Sequence, residues 1–150
     1  MQRIINKPYL IFWFLIPIML LIGKVRGTDM IDINIHDTYF VITESQSWYL
    51  VSILFGIIGL GYWIMIKFKR RLSKILNSIH IVLTVLGFLA IWVSRLIFTD
   101  WIINSDDPLH GGLATFNLIR VILILLIIGG QLIYLINLTI ALIRKPLTVI

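Results

Sequence analysis

The chain has 150 residues, of which 59% are hydrophobic and only 13% are charged, and its mean hydropathy is +1.01. A soluble domain of this length cannot bury so much apolar surface, because small domains have a high ratio of surface to volume. The net charge of +6 lies in short basic stretches beside apolar runs, without interleaved aromatics, which argues against a nucleic-acid-binding surface. The absence of cysteine excludes disulfides, thiolate metal sites and cysteine nucleophiles.

Four apolar runs are long enough to cross a hydrocarbon layer of about 30 Å as helices. The sequence therefore predicts an all-α membrane protein, with a single transmembrane helical domain over residues 1–150. The predicted spans are residues 8–23, 48–66, 75–98 and 118–143. The first span is short and follows Arg3 and Lys7, as a signal peptide would. The stretch Gly23-Lys24-Val25-Arg26 lacks a small-x-small cleavage site, so we expect a retained helix.

Charge is segregated along the chain. The two termini and the 67–74 turn carry basic residues without acids, whereas every acid from Asp29 to Asp107 falls on the other side of the spans or at its membrane edge. The positive-inside rule then places both termini and the 67–74 turn in the cytoplasm, and loops 24–47 and 99–117 outside. We expect a bacterial cytoplasmic (inner) membrane, with the outer loops periplasmic or extracellular. The short 67–74 turn predicts that the second and third spans form an antiparallel hairpin.

The first outer loop has a period of two that is typical of extended backbone. Ile31, Ile33 and Ile35 alternate there with polar residues, so we expect an extended outer loop between the first and second helices. The second outer loop carries turn residues before Gly111 and Gly112, which predicts an entry to the fourth helix.

Residues 32–42 of the first outer loop read DINIHDTYFVI. This segment resembles a stretch of subunit I of the haem-copper (cytochrome c) oxidases. In that family the corresponding histidine and aspartate lie near a non-redox magnesium site, and the chain continues into a helix whose His-x-His pair ligates the haems. The present sequence keeps His36, Asp37, Thr38 and Tyr39. The resemblance implies an outward-facing string that leads directly into a helix.

The sequence departs from the family where the haem ligands should stand. Glu44 and Gln46 occupy those two positions, and neither is equivalent to an axial imidazole. The family's copper-ligating histidines belong to other helices of a larger subunit. His80, near the cytoplasmic end of the third helix, cannot build a binuclear centre alone. We therefore expect no oxygen reduction by this chain, no enzymatic activity and no bound haem.

A divalent metal ion is the cofactor that the resemblance leaves open. His36 and Asp37 could supply an imidazole nitrogen and a carboxylate to such an ion. Asp106, Asp107 and His110 lie in the other outer loop and could complete the ligand shell. In the alternative interpretation, His36 and Asp37 hydrogen-bond to loop backbone and hold the loop over the helices.

Two arginines stand near the outer ends of predicted spans, Arg95 in the third and Arg120 in the fourth. Near a span end an arginine can snorkel towards water, and Glu44, Asp37 and Asp100 are candidate partners in an ion pair between loops and helices. The arginines could instead bind an anionic ligand.

Further polar and small residues lie within the spans. Gln131 and Asn137 predict hydrogen bonds between helices, or the lining of a small polar pathway. His80, beside Asn77 and Ser78, is expected to be interfacial. Glycines in the second, third and fourth spans predict close helix packing.

These features support two hypotheses of different classes. The first is a non-catalytic accessory or assembly subunit that associates with other membrane protein subunits of a larger, respiratory complex, or with itself, within the lipid bilayer. The alternative is an outward-facing membrane protein that binds or transports a small ligand or a divalent ion. Its pocket would be built from His36, Asp37, Glu44 and Arg120.

Overall fold

The structure is a computed structural model that describes residues 7–25, 27, 30–35, 38–94 and 112–144, with side chains described for 7–25, 27, 30, 41–94 and 118–144. Four helices and one two-stranded sheet follow one another in the described chain. They are α1 (Pro8–Val25), β1 (Met30–Ile35), β2 (Thr38–Thr43), α2 (Glu44–Lys67), α3 (Lys74–Ser94) and α4 (Gly112–Ile143).

The four helices are each long and apolar enough to span a membrane, which confirms the four predicted spans. The helix ends differ from the prediction. α2 begins at Glu44, before the predicted span at residue 48, and α4 begins at Gly112, although the candidate span within it, Leu118–Ile143, has the predicted bounds. Hydropathy marks the segment that lies in hydrocarbon, whereas the hydrogen-bonded helix continues through polar residues beyond it.

An antiparallel hairpin connects α1 to α2. Met30 pairs with Thr43 at one end of the hairpin, and Ile35 pairs with Thr38 at the other. The extended backbone predicted from the alternating isoleucines is confirmed by β1. The second strand, β2, was not predicted. The predicted direct passage from this segment into a helix is confirmed, because β2 ends at Thr43 and α2 begins at Glu44.

The chain divides into two compact units. The first contains α1, the hairpin and α2 as far as Arg71, and the second contains α3 and α4 between Leu72 and Arg144. The predicted antiparallel packing of the second and third spans concerns helices of different units, so it stays a prediction.

An aromatic cluster forms the centre of the first unit. The Phe12 ring of α1 meets the edge of Phe55 at a centroid distance of 5.4 Å and stacks on Tyr62 at 6.1 Å. All three side chains are completely buried. Burial of such rings is the main apolar contribution to packing in this unit.

Glycines bring α1 and α2 together beside this cluster. The indole of Trp13 occupies the space that a Cβ on Gly59 would need, and a Cβ on Gly23 would lie 2.9 Å from Trp48 Cβ. The predicted role of glycine in close helix packing is therefore confirmed in this unit. Trp13 packs across the helix pair as well as against Tyr9 and Trp63.

In the second unit, α3 and α4 run antiparallel. A Cβ on Gly87 of α3 would lie 2.6 Å from Ile127 of α4, and a Cβ on Gly130 of α4 would lie 3.1 Å from Thr84 Oγ1 of α3. α3 is α-helical over Lys74–Ile81, has one π-helical stretch at Val82–Leu86, and continues to Ser94. Such π-helical insertions change the direction of the following side chains around the helix axis.

Candidate functional site

The N-terminal turn of α2 is closed by a capping box. The backbone N–H of Gln46 donates to Thr43 Oγ1 at 3.3 Å, and the backbone N–H of Thr43 donates to Gln46 Oε1 at 3.1 Å. This reciprocal pair satisfies two backbone donors that a helix start would otherwise leave open. Gln46, which occupies a haem-ligand position in the oxidase resemblance, therefore has a structural role here.

Glu44 is buried in the same turn. Its side chain is 2% exposed, and Trp48 Nε1 donates to Glu44 Oε1 at 3.3 Å. Trp48 is in turn packed against Gly23 of α1. The carboxylate of Glu44 is thus enclosed within its own unit. The outer pocket predicted from His36, Asp37, Glu44 and Arg120 includes residues outside the described part of the chain, so it stays a prediction.

The other residues predicted for the site are only partly described. Thr38 and Tyr39 lie in β2, where they pair with Ile35 and Asn34 of β1. Arg120 lies in α4 and is half-buried; it belongs to the second unit, whereas Glu44 belongs to the first.

The remaining predicted residues lie outside the described part of the chain: His36, Asp37, Arg95, Asp106, Asp107 and His110. Among the residues that the structure describes, no group of three or more histidines and acids could hold a metal ion. The metal hypothesis rests on the residues just named, so it stays a prediction.

A second polar cluster lies between α3 and α4, and we call it the polar seam. It consists of Ser73, Asn77, His80 and Thr84 from the first part of the unit, and Gln131, Tyr134 and Asn137 from α4. Four of its side chains are at most 2% exposed: Asn77, His80, Thr84 and Asn137.

Asn137 is the most extensively bonded residue of the polar seam. Its Oδ1 accepts from the backbone N–H of Ser73 at 2.9 Å. Its Nδ2 donates to Asn77 Oδ1 at 2.6 Å and to the Ser73 carbonyl at 3.4 Å. Ser73 is the N-cap residue of α3, so a side chain of α4 satisfies the backbone where α3 begins.

One helical turn further along, the imidazole of His80 stacks on the ring of Tyr134, with centroids 5.1 Å apart and an interplanar angle of 28°. The side chain of Gln131 hydrogen-bonds with His80 and donates to Thr84 Oγ1 at 3.0 Å. The polar seam thus connects α3 and α4 over two turns.

The polar seam was predicted only in part. The interhelical hydrogen bonds expected of Gln131 and Asn137 are confirmed. The side chain of His80 is completely buried between α3 and α4, and its expected position at the membrane interface stays a prediction. A signal was present in the sequence. Residues 73, 77, 80 and 84 follow one another at intervals of three or four, and so do residues 131, 134 and 137, as expected of polar positions on one side of each helix.

The side chains of the polar seam favour a structural role. Amide and hydroxyl groups hydrogen-bond across the two helices, the imidazole of His80 stacks on the Tyr134 ring, and none of the seven residues carries a carboxylate or a thiol. Polar contacts of this kind are the usual means of joining helices in a bilayer, where apolar contacts with lipid and protein are similar in strength.

The fold and these contacts define an integral membrane protein with four candidate spans. The chain is similar to cytochrome c oxidase subunit 1 of Thermostichus vulcanus, with 34% identity over 66 residues. The aligned stretch makes up 43% of this chain and 12% of that subunit, so the chain corresponds to a small part of its relative. No protein-family profile and no solved structure matches the chain. The resemblance to oxidase subunit I that the sequence suggested is confirmed as a weak and partial similarity.

Proposed function

We propose that the protein is a non-catalytic accessory or assembly subunit that associates laterally with a larger membrane complex. The observation that carries this proposal is the N-terminal turn of α2. Glu44 and Gln46, which stand in place of the oxidase haem ligands, hold that turn together through Trp48 and Thr43. The segment has kept an oxidase-like sequence but uses these two positions for folding.

The partial similarity to an oxidase subunit supports a respiratory partner. The aligned stretch covers 12% of such a subunit, so the chain corresponds in sequence to a small segment of it. A related helix pair could pack in the membrane against the same kind of neighbour as its relative. An oxidase-type complex is therefore the first partner to test.

The outer faces of the helices are suited to lateral contact. Large apolar side chains are more than half exposed along α2 and α4, among them Leu50, Ile53, Ile57, Leu125 and Leu132. The amides of Gln131 and Asn137 in the polar seam hydrogen-bond with Thr84 and Asn77 inside their own unit. Contact with another membrane subunit would therefore depend on shape complementarity between apolar surfaces. Few hydrogen bonds within the unit would have to be replaced by bonds to the partner.

The test is purification of the tagged chain from its native membrane in a mild detergent, followed by identification of stoichiometric protein neighbours. We expect subunits of a respiratory complex to copurify. Two matched double variants report which exposed helix face carries the contact. They are Ile53→Ala with Ile57→Ala on α2, and Leu125→Ala with Leu132→Ala on α4. A monodisperse wild-type particle without protein neighbours would contradict the proposal.

The same preparation tests the non-catalytic part of the proposal. An absorption spectrum of the chain after separation from its partners is expected to lack a Soret band, because imidazole ligands are replaced at positions 44 and 46. A stoichiometric Soret band that survives separation would show that the chain itself binds haem.

A further inference from the structure

The C-terminus of α2 ends in a Schellman motif with lysine at the left-handed position. The Arg70 N–H donates to the Met65 carbonyl and the Lys69 N–H to the Ile66 carbonyl, both at 2.9 Å. Lys69 has a φ of 53°, a conformation that glycine adopts without steric cost and lysine does not. The motif therefore places a charged side chain where the backbone itself favours glycine.

Four basic residues lie at this helix end, and we call them the basic turn: Lys67, Lys69, Arg70 and Arg71. The side chains of Lys67, Lys69 and Arg71 are exposed. The sequence contains no acid between Glu44 and Asp100, and Glu44 lies at the opposite end of α2. The basic turn is thus a concentrated patch of positive charge.

Neighbouring aromatic side chains place the basic turn at the depth of a membrane surface. Lys67 Nζ lies 4.6 Å from the centroid of the Trp63 ring, in a cation–π contact. Phe68 is 67% exposed between the basic residues. Aromatic rings at the end of an apolar span, followed directly by lysines and arginines, are typical of the boundary between hydrocarbon and headgroups.

We propose that the basic turn binds the phosphate of anionic phospholipid headgroups. The end of a candidate span brings the exposed charges of Lys67, Lys69 and Arg71 into the headgroup layer, where phosphate is at high local concentration. A lipid is therefore favoured over free phosphate as the source of the anion.

The geometry also specifies how the headgroup is recognised. The backbone N–H groups of Phe68, Lys69 and Arg70 donate to carbonyls of α2, so they are committed within the helix end. An anion must then be held by side-chain charge, without a backbone cradle of the kind that reads phosphate shape. Binding should depend on the number of charges and on ionic strength, and little on the identity of the anionic headgroup.

The experiment uses the full chain reconstituted in bilayers with spin-labelled phosphatidylglycerol or phosphatidylcholine, and measures the relative association of each lipid by electron paramagnetic resonance. The test variant is Lys69→Gln with Arg71→Gln, which leaves Lys67 and Arg70 in place. The matched control is Lys69→Arg with Arg71→Lys, which preserves charge. Lys24→Gln, at the end of α1, is a control for the loss of an exposed charge elsewhere in the unit.

The wild type and both controls are expected to prefer phosphatidylglycerol. The test variant, which lacks two of the charges, is expected to lose most of that preference. Raising the salt from about 0.05 to about 0.5 M should weaken the preference in the wild type. Inorganic phosphate should displace the lipid no better than chloride at equal ionic strength. An unchanged preference in the test variant, an equal loss in Lys24→Gln, or displacement specific to phosphate would each overturn the proposal.

Discussion

At Thr43 the backbone passes from strand to helix, and one side chain serves both elements. Thr43 closes the hairpin register opposite Met30, and its φ of −69° and ψ of 149° are those of an N-cap residue. Its hydroxyl receives the Gln46 N–H and lies 3.0 Å from Ser45 Oγ. A single threonine therefore fixes where β2 ends and where α2 begins.

We expect Thr43→Ala to lower the free energy of unfolding by about 1 kcal/mol, because it removes the hydroxyl acceptor of the capping box. Thr43→Ser keeps that acceptor and should be close to wild type. Chemical unfolding in mixed micelles, followed by circular dichroism, measures both variants.

Thr139→Ala is the matched control for this substitution. Thr139 is also a threonine with a backbone hydrogen bond, but its hydroxyl donates to Leu135 within the same helix. The expected loss there is smaller, since no helix end depends on it. Equal losses at positions 43 and 139 would show that the cap contributes nothing specific.

At the scale of the elements, each helix pair is built from small residues that face large or polar ones. In the first unit Gly59 faces Trp13, and in the second Gly87 faces Ile127. The polar seam adds directional bonds to the second pair, whereas the first relies on the aromatic cluster around Phe12. The two units thus hold antiparallel helices by different means.

Gly59→Ala should destabilise the first unit by about 1–3 kcal/mol, because the new methyl group overlaps the indole of Trp13 and must displace a rigid ring. Gly56→Ala is the matched control on the same helix. A Cβ there would meet only Ile16 at 3.8 Å, which is ordinary contact, so we expect no loss. Thermal unfolding in detergent measures the melting temperatures of both variants. Equal melting temperatures of the two variants would rule out close packing at Gly59.

The hydrogen bond between Asn77 and Asn137 can be measured by a double-mutant cycle. The single variants Asn77→Ala and Asn137→Ala, and the double variant, should give a coupling free energy of about 0.5–1.5 kcal/mol. Asn137→Ala should be the costlier single change, since it also removes the two bonds to the Ser73 backbone. A cycle between Asn77 and Thr139 provides the additive control, and zero coupling in both cycles would contradict an energetic role for this contact.

At the scale of the whole molecule, the sequence predicted what depends on composition and local periodicity. The four spans follow from long apolar runs, and β1 follows from the alternating isoleucines. Helical periodicity sets His80 in line with the other polar residues of α3, but its burial also depends on the register of the two helices, which sets His80 opposite Tyr134. The burial of the Glu44 carboxylate beside Trp48 could not be predicted from composition either, since a carboxylate near a span end is equally compatible with exposure.

The distribution of basic residues predicts the orientation of the spans in the membrane. Because the sequence has no cysteine, this orientation can be measured by labelling single introduced cysteines. Single cysteines at Thr28 and Ser105 probe the loops expected outside, and cysteines at Arg71 and Arg144 probe the regions expected in the cytoplasm. A membrane-impermeant maleimide added to spheroplasts should label the first two and not the others.

Labelling after permeabilisation controls for access, because all four cysteines should then react if each is exposed to water. The background is zero, since the wild-type chain has no thiol. Labelling of the cysteine at Arg71 in sealed spheroplasts would show that the spans have the opposite orientation. It would also move the basic turn away from the cytoplasmic leaflet, where anionic lipids generate the negative surface potential that its charges would meet.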